Sequence, residues 1–357
     1  MTATNGILIR NIFHMLAYAY KGLRHKSYER IAIESFDHIE DLMAAILLRG
    51  INQQIKQGLH RDYQLHSDNL LTVRGRIVLA ETIRQRIKRR RQINCKYDEL
   101  SVDNLFNRIL KAAALVLVRS SKLKADLRQA LKKTLTSLQE VSSLNLNSVN
   151  WSRLQIGRQT QTYELLLNIC RLIQLQALHT EEDGYFRLEQ WMDEGTIALL
   201  YQRFLLEYFR EHHPHLAPAA KHIPWDLAEE TERSSFLPVM ISDVILSSDK
   251  RILVIDAKFY GKTLQKHHDK LKFHSNNLYQ MFAYVHNFQA HNPDKEVSGM
   301  LLYAKTQEEI VPNDTIKLHG NMFTIRTLDL NCDFVNICHE LDAIAASAYH
   351  ATHADFG

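Results

Sequence analysis

The sequence is poor in structure breakers. Its 357 residues include only 12 Gly and 6 Pro, and no stretch is rich in Gly, Pro or Ser. That composition excludes long flexible linkers and low-complexity segments. Cysteine is scarce too, confined to Cys95, Cys170, Cys332 and Cys338. None forms a C-x-x-C pair, and the six-residue step from Cys332 to Cys338 is poor zinc spacing. Scattered thiols, with no secretory pattern in MTATNGILIRN, point to a reducing cytoplasm. No apolar run reaches the ~18–20 residues of a membrane-spanning helix. The longest, Ile109 to Val118, is broken by Lys111 and closed by Arg119. A G-x-x-x-x-G-K-[ST] phosphate loop is missing, so any nucleotide hydrolysis that drives the system belongs to another chain. Internal repeats are missing as well.

What is present is ordinary globular material, with 45% hydrophobic and 24% charged residues. The length exceeds one average domain of about 100–150 residues, so two are expected. Periodicity predicts helices over 7–23 and from Ser35, as N-cap, to Gly58, as stop. Further helices are expected over 104–118, capped by Asp103, and over 122–139. Short strands fall around Leu71, Val73 and Ile77. Residues 141–160 are polar and loop-like, which places a boundary there, with domains over 1–160 and 161–357. After a helix at 163–178, the second half runs helix (195–212), strand, strand, helix (275–288), strand (297–304), hairpin around Gly320 and a last helix (333–348). The fold class is a mixture of α/β and α+β.

The chemistry concentrates in that second half. Two strand-like runs, PVMISDVIL and RILVIDAKFY, are joined by a Ser247–Lys250 turn into a hairpin. Asp256 and Lys258, two apart on a strand, project to one face. Hairpin pairing can bring Asp243 beside Asp256. Two carboxylates at one spot repel unless a cation lies between them, and hard oxygen donors suit Mg²⁺ or Mn²⁺. Lys258 would then orient or activate a water and stabilise developing charge. The bland alternative is a buried Asp–Lys ion pair. The following helix carries Gln280 and Tyr284, four apart and therefore on one face. Together these residues have the layout of the PD-(D/E)xK nuclease core, in the subgroup resembling RecB and Cas4 nucleases. Many such nucleases add an acid from the preceding helix. Here that position holds Gln202, and Glu207, the nearest acid, lies about 140° further round the helix.

Charge is unevenly spread. The chain is formally +4, yet 74–96 holds nine Lys or Arg against Glu81, a net +8, and 258–274 is net +4. The remainder is therefore acidic. The first stretch suits nucleic-acid phosphates, a solvated face or an acidic channel in a protein partner. The second, beside the candidate metal site, suits phosphate; its His267, His268 and His274 lack a fourth ligand for zinc. The cluster His212, His213 and His215 reads as a loop after a helix end.

The strings IRNIFHMLAYAY, GRIVLAETI, KYDELSVDNLFNRILK, ALLYQRFLLEYF, VIDAKFY and FHSNNLYQMFAY occur in that order. Together they resemble the McrC family, the nuclease subunit of McrBC modification-dependent restriction systems, from about Ile9 to Ala345. The resemblance implies an N-terminal part that docks to a McrB-like AAA+ GTPase hexamer, followed by a PD-(D/E)xK endonuclease domain. It implies that the partner consumes GTP and reads methylcytosine in double-stranded DNA, while this chain stimulates the GTPase and cuts. By position Asp243, Asp256 and Lys258 match the nuclease motif, and Gln280 and Tyr284 match the accessory helix; in the mechanism expected from this, Asp243 and Asp256 hold the metal, with the carbonyl of Ala257 as a further ligand. A stand-alone RecB/Cas4-like nuclease, or a non-catalytic adaptor for a AAA+ motor, are the alternatives.

Overall fold

The computed structural model describes residues 3–4, 7–20, 36–178, 194–227, 236–259, 264–267, 270–273, 275–305 and 313–349, with positions 23, 28, 31 and 34. The helices are α1 (Ile9–Ala19), α2 (Ile39–Gln57), α3 (Leu79–Ile87), α4 (Leu105–Arg119), α5 (Ala125–Thr136), α6 (Glu164–Leu178), α7 (Glu194–His212), α8 (Ser275–Ala290) and α9 (Phe334–Tyr349). The principal strands are β1 (Asp62–Leu70), β2 (Arg76–Ile77), β3 (Ile93–Ser101), β4 (Val244–Ser247), β5 (Arg251–Lys258), β6 (Leu264–His267), β7 (Lys270–Phe273), β8 (Glu296–Lys305), β9 (Asp314–Leu318) and β10 (Asn321–Asp329). The mixed helix and sheet class expected from the sequence is what the chain adopts. Among the described residues no helix is long and apolar enough to cross a membrane.

The chain forms two compact units, and they do not follow the 160/161 division. One comprises Met1–Leu42 with Glu189–Gly357, the other Met43–Leu188. The reason is non-local pairing at the N-terminus. Asn11, buried, donates through Nδ2 to the carbonyls of Leu330 (2.9 Å) and Cys332 (2.7 Å). Tyr18 and His212 are hydrogen-bonded at 2.8 Å, and the Tyr18 ring packs on Phe204, Tyr208 and Phe334. His213, in turn, pairs with Asp342 at 2.8 Å. These histidines therefore tie α1, α7 and α9 together, where the sequence suggested a plain loop.

The first unit is built on a five-stranded sheet in the order β9-β10-β8-β5-β4. β8 runs parallel to both β5 and β10; the outer pairs are antiparallel. The parallel step from β5 to β8 requires a crossover, supplied by α8. β5 is apolar on both faces, with Ile252 to Ile255 all buried, as a strand covered on both sides must be. Ile252, Val254, Leu301, Phe323 and Ile325 pack against Met281, Val285 and Phe288 of α8. Gly299 lets α8 come close: a Cβ there would lie 2.7 Å from Met281 Sδ and Val285 Cγ2. The segment after β5, read as a basic loop, contains the β6–β7 hairpin. The side chains of 260–274 lie outside the described residues, so the phosphate and histidine expectations placed there do too.

The second unit packs α4 against α5 and α6 beside an antiparallel sheet in the order β1-β3-β2. Asn104, not Asp103, caps α4, accepting from the Asn107 backbone N–H at 3.1 Å. Asp103 is taken up by Arg108, whose Nε and Nη2 donate to its two oxygens at 2.6 and 2.7 Å. Ser142 adds its N–H at 2.7 Å and its Oγ at 2.6 Å. Val73 and Leu71 fall outside strands. The helix from Ile39 ends before Gly58, whose φ of +87° suits a glycine stop; Ser35, the expected cap, lies outside the described residues.

Candidate active site

Strand register delivers the acidic pair. β4 and β5 are antiparallel with Val244 opposite Ile255, so Asp243, one residue before the ladder, falls opposite Asp256. The Ala257 N–H donates to Asp243 Oδ2 at 2.7 Å, which fixes that carboxylate to the neighbouring strand. Asp256 shares its face of β5 with Ile252 and Val254, the face that α8 covers. It is only 3% exposed.

Lys258, two residues on, projects to the same face. Its Nζ lies 2.7 Å from Asp256 Oδ2, a charge pairing in which that oxygen accepts no well-directed hydrogen bond. Nζ also donates to Gln280 Oε1 at 3.0 Å. Gln280 Nε2 donates to the Tyr284 hydroxyl at 2.7 Å. The structure therefore brings Asp243, Asp256, Ala257, Lys258, Gln280 and Tyr284 together. The four-residue spacing in α8 has its purpose here: Tyr284 is buried in the core and orients Gln280, which orients the lysine.

The electrostatics are those of two adjacent buried acids facing one lysine. Burial, then the adjacent Asp256 charge, pushes the Asp243 carboxyl up to about 7. Burial also raises Asp256, against the opposing pull of Lys258. Both acids are held towards their neutral forms, a cost that a divalent cation between them would remove. The donors are hard oxygens, so the set fits Mg²⁺ or Mn²⁺ rather than a softer metal. Among the described residues no group of three or more His, Cys, Asp or Glu gathers into a metal site. Two carboxylates with open positions are thus the available protein acids.

The preceding helix does not supply the missing acid. Glu207 pairs with Arg210 at 2.7 Å, and Gln202 is half-buried. Sequence reasoning passed over its neighbour Tyr201, which is fully buried and feels the charge of Asp243. A phenol one position before Gln202 looks like any core aromatic in a sequence, so no signal marked it.

The basic stretch 74–96 lies in the other unit, over β2, α3 and the start of β3. Arg74 stacks over the Tyr97 ring at 4.1 Å and reaches Glu99 at 3.2 Å. Arg84 pairs with Glu81 at 2.6 Å. On the same helix Leu79, Ile83 and Ile87 are 71%, 57% and 76% exposed. Their four-residue spacing places them in one exposed stripe.

Fold and site together define an α/β chain in which two neighbouring strands, β4 and β5, bring together a buried acidic pair, backed by a lysine that a neighbouring helix holds. The chain belongs to the family described as McrBC 5-methylcytosine restriction system component, which it matches over residues 2–304. It is 27% identical over 337 residues to the type IV methyl-directed restriction enzyme EcoKMcrBC of Escherichia coli (strain K12), covering 94% of this chain and 96% of that protein. It also superimposes, with a TM-score of 0.52 and 13% identity, on a chain of a half-complex from a tetradecameric assembly of Thermococcus gammatolerans McrB AAA+ hexamers with bound McrC. That match covers 92% of this chain and 76% of the other, and it speaks for the fold.

Proposed function

We propose that this chain is the metal-dependent DNA endonuclease subunit of a GTP-driven, methylcytosine-directed restriction complex, with a PD-(D/E)xK active site. One observation carries the reading. Residues from Asp243 to Tyr284 converge on the end of β5 as a single hydrogen-bonded and charge-paired cluster. A purely structural Asp–Lys pair has no use for a second buried acid or for a glutamine and tyrosine fixing the lysine.

In this reading Asp243, Asp256 and the Ala257 carbonyl would hold Mg²⁺ or Mn²⁺, and the cation would supply Lewis-acid polarisation and make a water more acidic. Lys258, fixed between Asp256 and Gln280, directs one N–H towards the attacking water and the phosphoryl oxygen where negative charge develops. Because Tyr284 anchors Gln280, the lysine is organised before substrate arrives, which is worth more than a mobile ammonium in water.

The relatives are restriction systems, and the matched solved assembly contains McrB AAA+ hexamers. We assign a McrB-like AAA+ GTPase hexamer as partner, consuming the GTP for which this chain has no phosphate loop. The docking and GTPase-stimulating role goes to the unit spanning Met43–Leu188. Its α3 offers exposed apolar side chains among arginines, a surface suited to an acidic, partly apolar partner.

The test is a cleavage assay on cytosine-methylated duplex DNA, adding the partner GTPase, GTP and Mg²⁺ in turn. Cutting is expected only with all three. Lys258→Ala should abolish it while GTPase stimulation persists. A Lys258→Ala complex that still cuts, or robust cutting by the isolated chain, would overturn the assignment.

A further inference from the structure

Tyr201 presents an unexplained polar atom. It lies on α7, is 0% exposed, and its hydroxyl has no hydrogen-bond partner among the described residues. Burying a hydroxyl without a partner is costly, and native folds rarely accept it unless the group serves something else. The charged group that acts on this phenol is Asp243. α7 packs against β4 and β5, the two strands that carry the acidic pair. On the Asp243 side, Oδ2 is already committed to the Ala257 N–H. A carboxylate has several lone-pair directions, so it accepts more than that one bond.

We propose that Tyr201 is a positioning residue, whose buried hydroxyl donates to the Asp243 carboxylate when that carboxylate ligates a divalent cation. The inference rests on the metal-dependent reading of the site. It gives the helix before the hairpin a part in the active site through a phenol rather than an acid. Tyr201 would not touch substrate. It would hold Asp243 in its ligating rotamer, and burial keeps the phenol a donor by raising its pKa.

The test uses the full-length chain, with Mn²⁺ alone as the probe. Tyr201→Phe removes one oxygen and leaves the ring in place. Manganese affinity is measured by calorimetry, and thermal unfolding is followed with and without the metal. The metal-free variant should melt at the wild-type temperature or a few degrees above it, because it loses an unpartnered buried polar atom. Its Mn²⁺ affinity should fall about tenfold, the scale of one hydrogen bond to a charged group. Mn²⁺ should correspondingly protect it less against heat. Affinity within twofold of wild type would overturn the proposal, showing a phenol that is merely buried. A metal-free variant that melts well below wild type would also overturn it, since the hydroxyl would then have a structural partner. Asp256→Asn separates this idea from the reading beneath it. If that substitution abolishes Mn²⁺ binding while Tyr201→Phe leaves it intact, only the role of Tyr201 fails. If the wild-type chain binds no Mn²⁺, the metal-dependent reading fails, and this inference with it.

Discussion

Replacing Gly299 with alanine tests how α8, the helix of the candidate site, is seated. Gly299 lies on β8, on the face that α8 covers. An added Cβ would meet Met281 Sδ and Val285 Cγ2 at 2.7 Å and Met281 Cγ at 2.9 Å, where ordinary contact begins at 3.4 Å. The shortfall is about 0.7 Å. Overpacking of this kind costs about 1–3 kcal/mol. If the helix backs away by the whole shortfall, the 3.0 Å bond from Lys258 to Gln280 opens to about 3.7 Å, outside hydrogen-bonding range. Asp243, Asp256 and Ala257 sit on or beside strands and are untouched. The variant should therefore keep its Mn²⁺ affinity, lose about 1–3 kcal/mol in urea unfolding, and cut DNA about 10–100-fold more slowly. Adding Met281→Ala removes one of the two obstructing side chains, so the cost of Gly299→Ala should shrink in that background. Equal costs in both backgrounds would refute the steric account. Full cleavage activity in a clearly destabilised Gly299→Ala protein would refute the claim that helix seating positions the lysine.

Other perturbations probe the second unit and its acid chemistry. Asp103 is held well below the usual carboxylate range by its bonds from Arg108, with Ser142 adding to the effect. A depressed carboxyl stabilises the fold above its ordinary pKa of about 3.9, and that contribution drains away as pH falls through the depressed value. Asp103→Asn should therefore cost about 1–2 kcal/mol at pH 7, discounted for the partly exposed Arg108, and the gap from wild type should narrow below about pH 4 in urea titrations. A gap that stays constant down to pH 2 would show that the pair is not the source. On α3, Ile83→Asp and Ile87→Asp place charges in the exposed stripe. They should leave the melting temperature nearly unchanged and weaken partner binding at least tenfold by surface-plasmon titration. Unchanged binding by both would move the docking site elsewhere.

The geometry of the candidate site was legible because its signals are local and periodic. Asp256 and Lys258 share a face by strand alternation, Gln280 and Tyr284 by helical pitch, and Asp243 meets Asp256 by hairpin register. The connection from Lys258 to Gln280 is not local. It needed a helix seated by a glycine on another strand, which no spacing rule shows. The unit boundary was misplaced for a similar reason. A polar stretch at 141–160 looks like a linker, yet it folds as short 3₁₀ turns with Trp151 half-buried, whereas α1 leaves its sequence neighbours to pair with Leu330 and Cys332. At the start of α4, Asp103 and Asn104 are both good caps, and the sequence does not choose between them. The structure does, because Arg108 and Ser142 claim the aspartate.

The pairing of Asn11 with the backbone near Leu330 also sets a timetable. The two partners are separated by 319 residues. At a synthesis rate of about 5–20 residues per second, α1 waits roughly 16–64 s on the ribosome before its acceptor is made. The unit spanning Met43–Leu188 is complete long before then. Its packing partner α7 is made earlier, so α1 can seat on α7 first and gains the Leu330 and Cys332 bonds last. Newly made chains thus pass through a stage in which α1 and α7 are both present but the hydrogen bonds that fasten Asn11 are not.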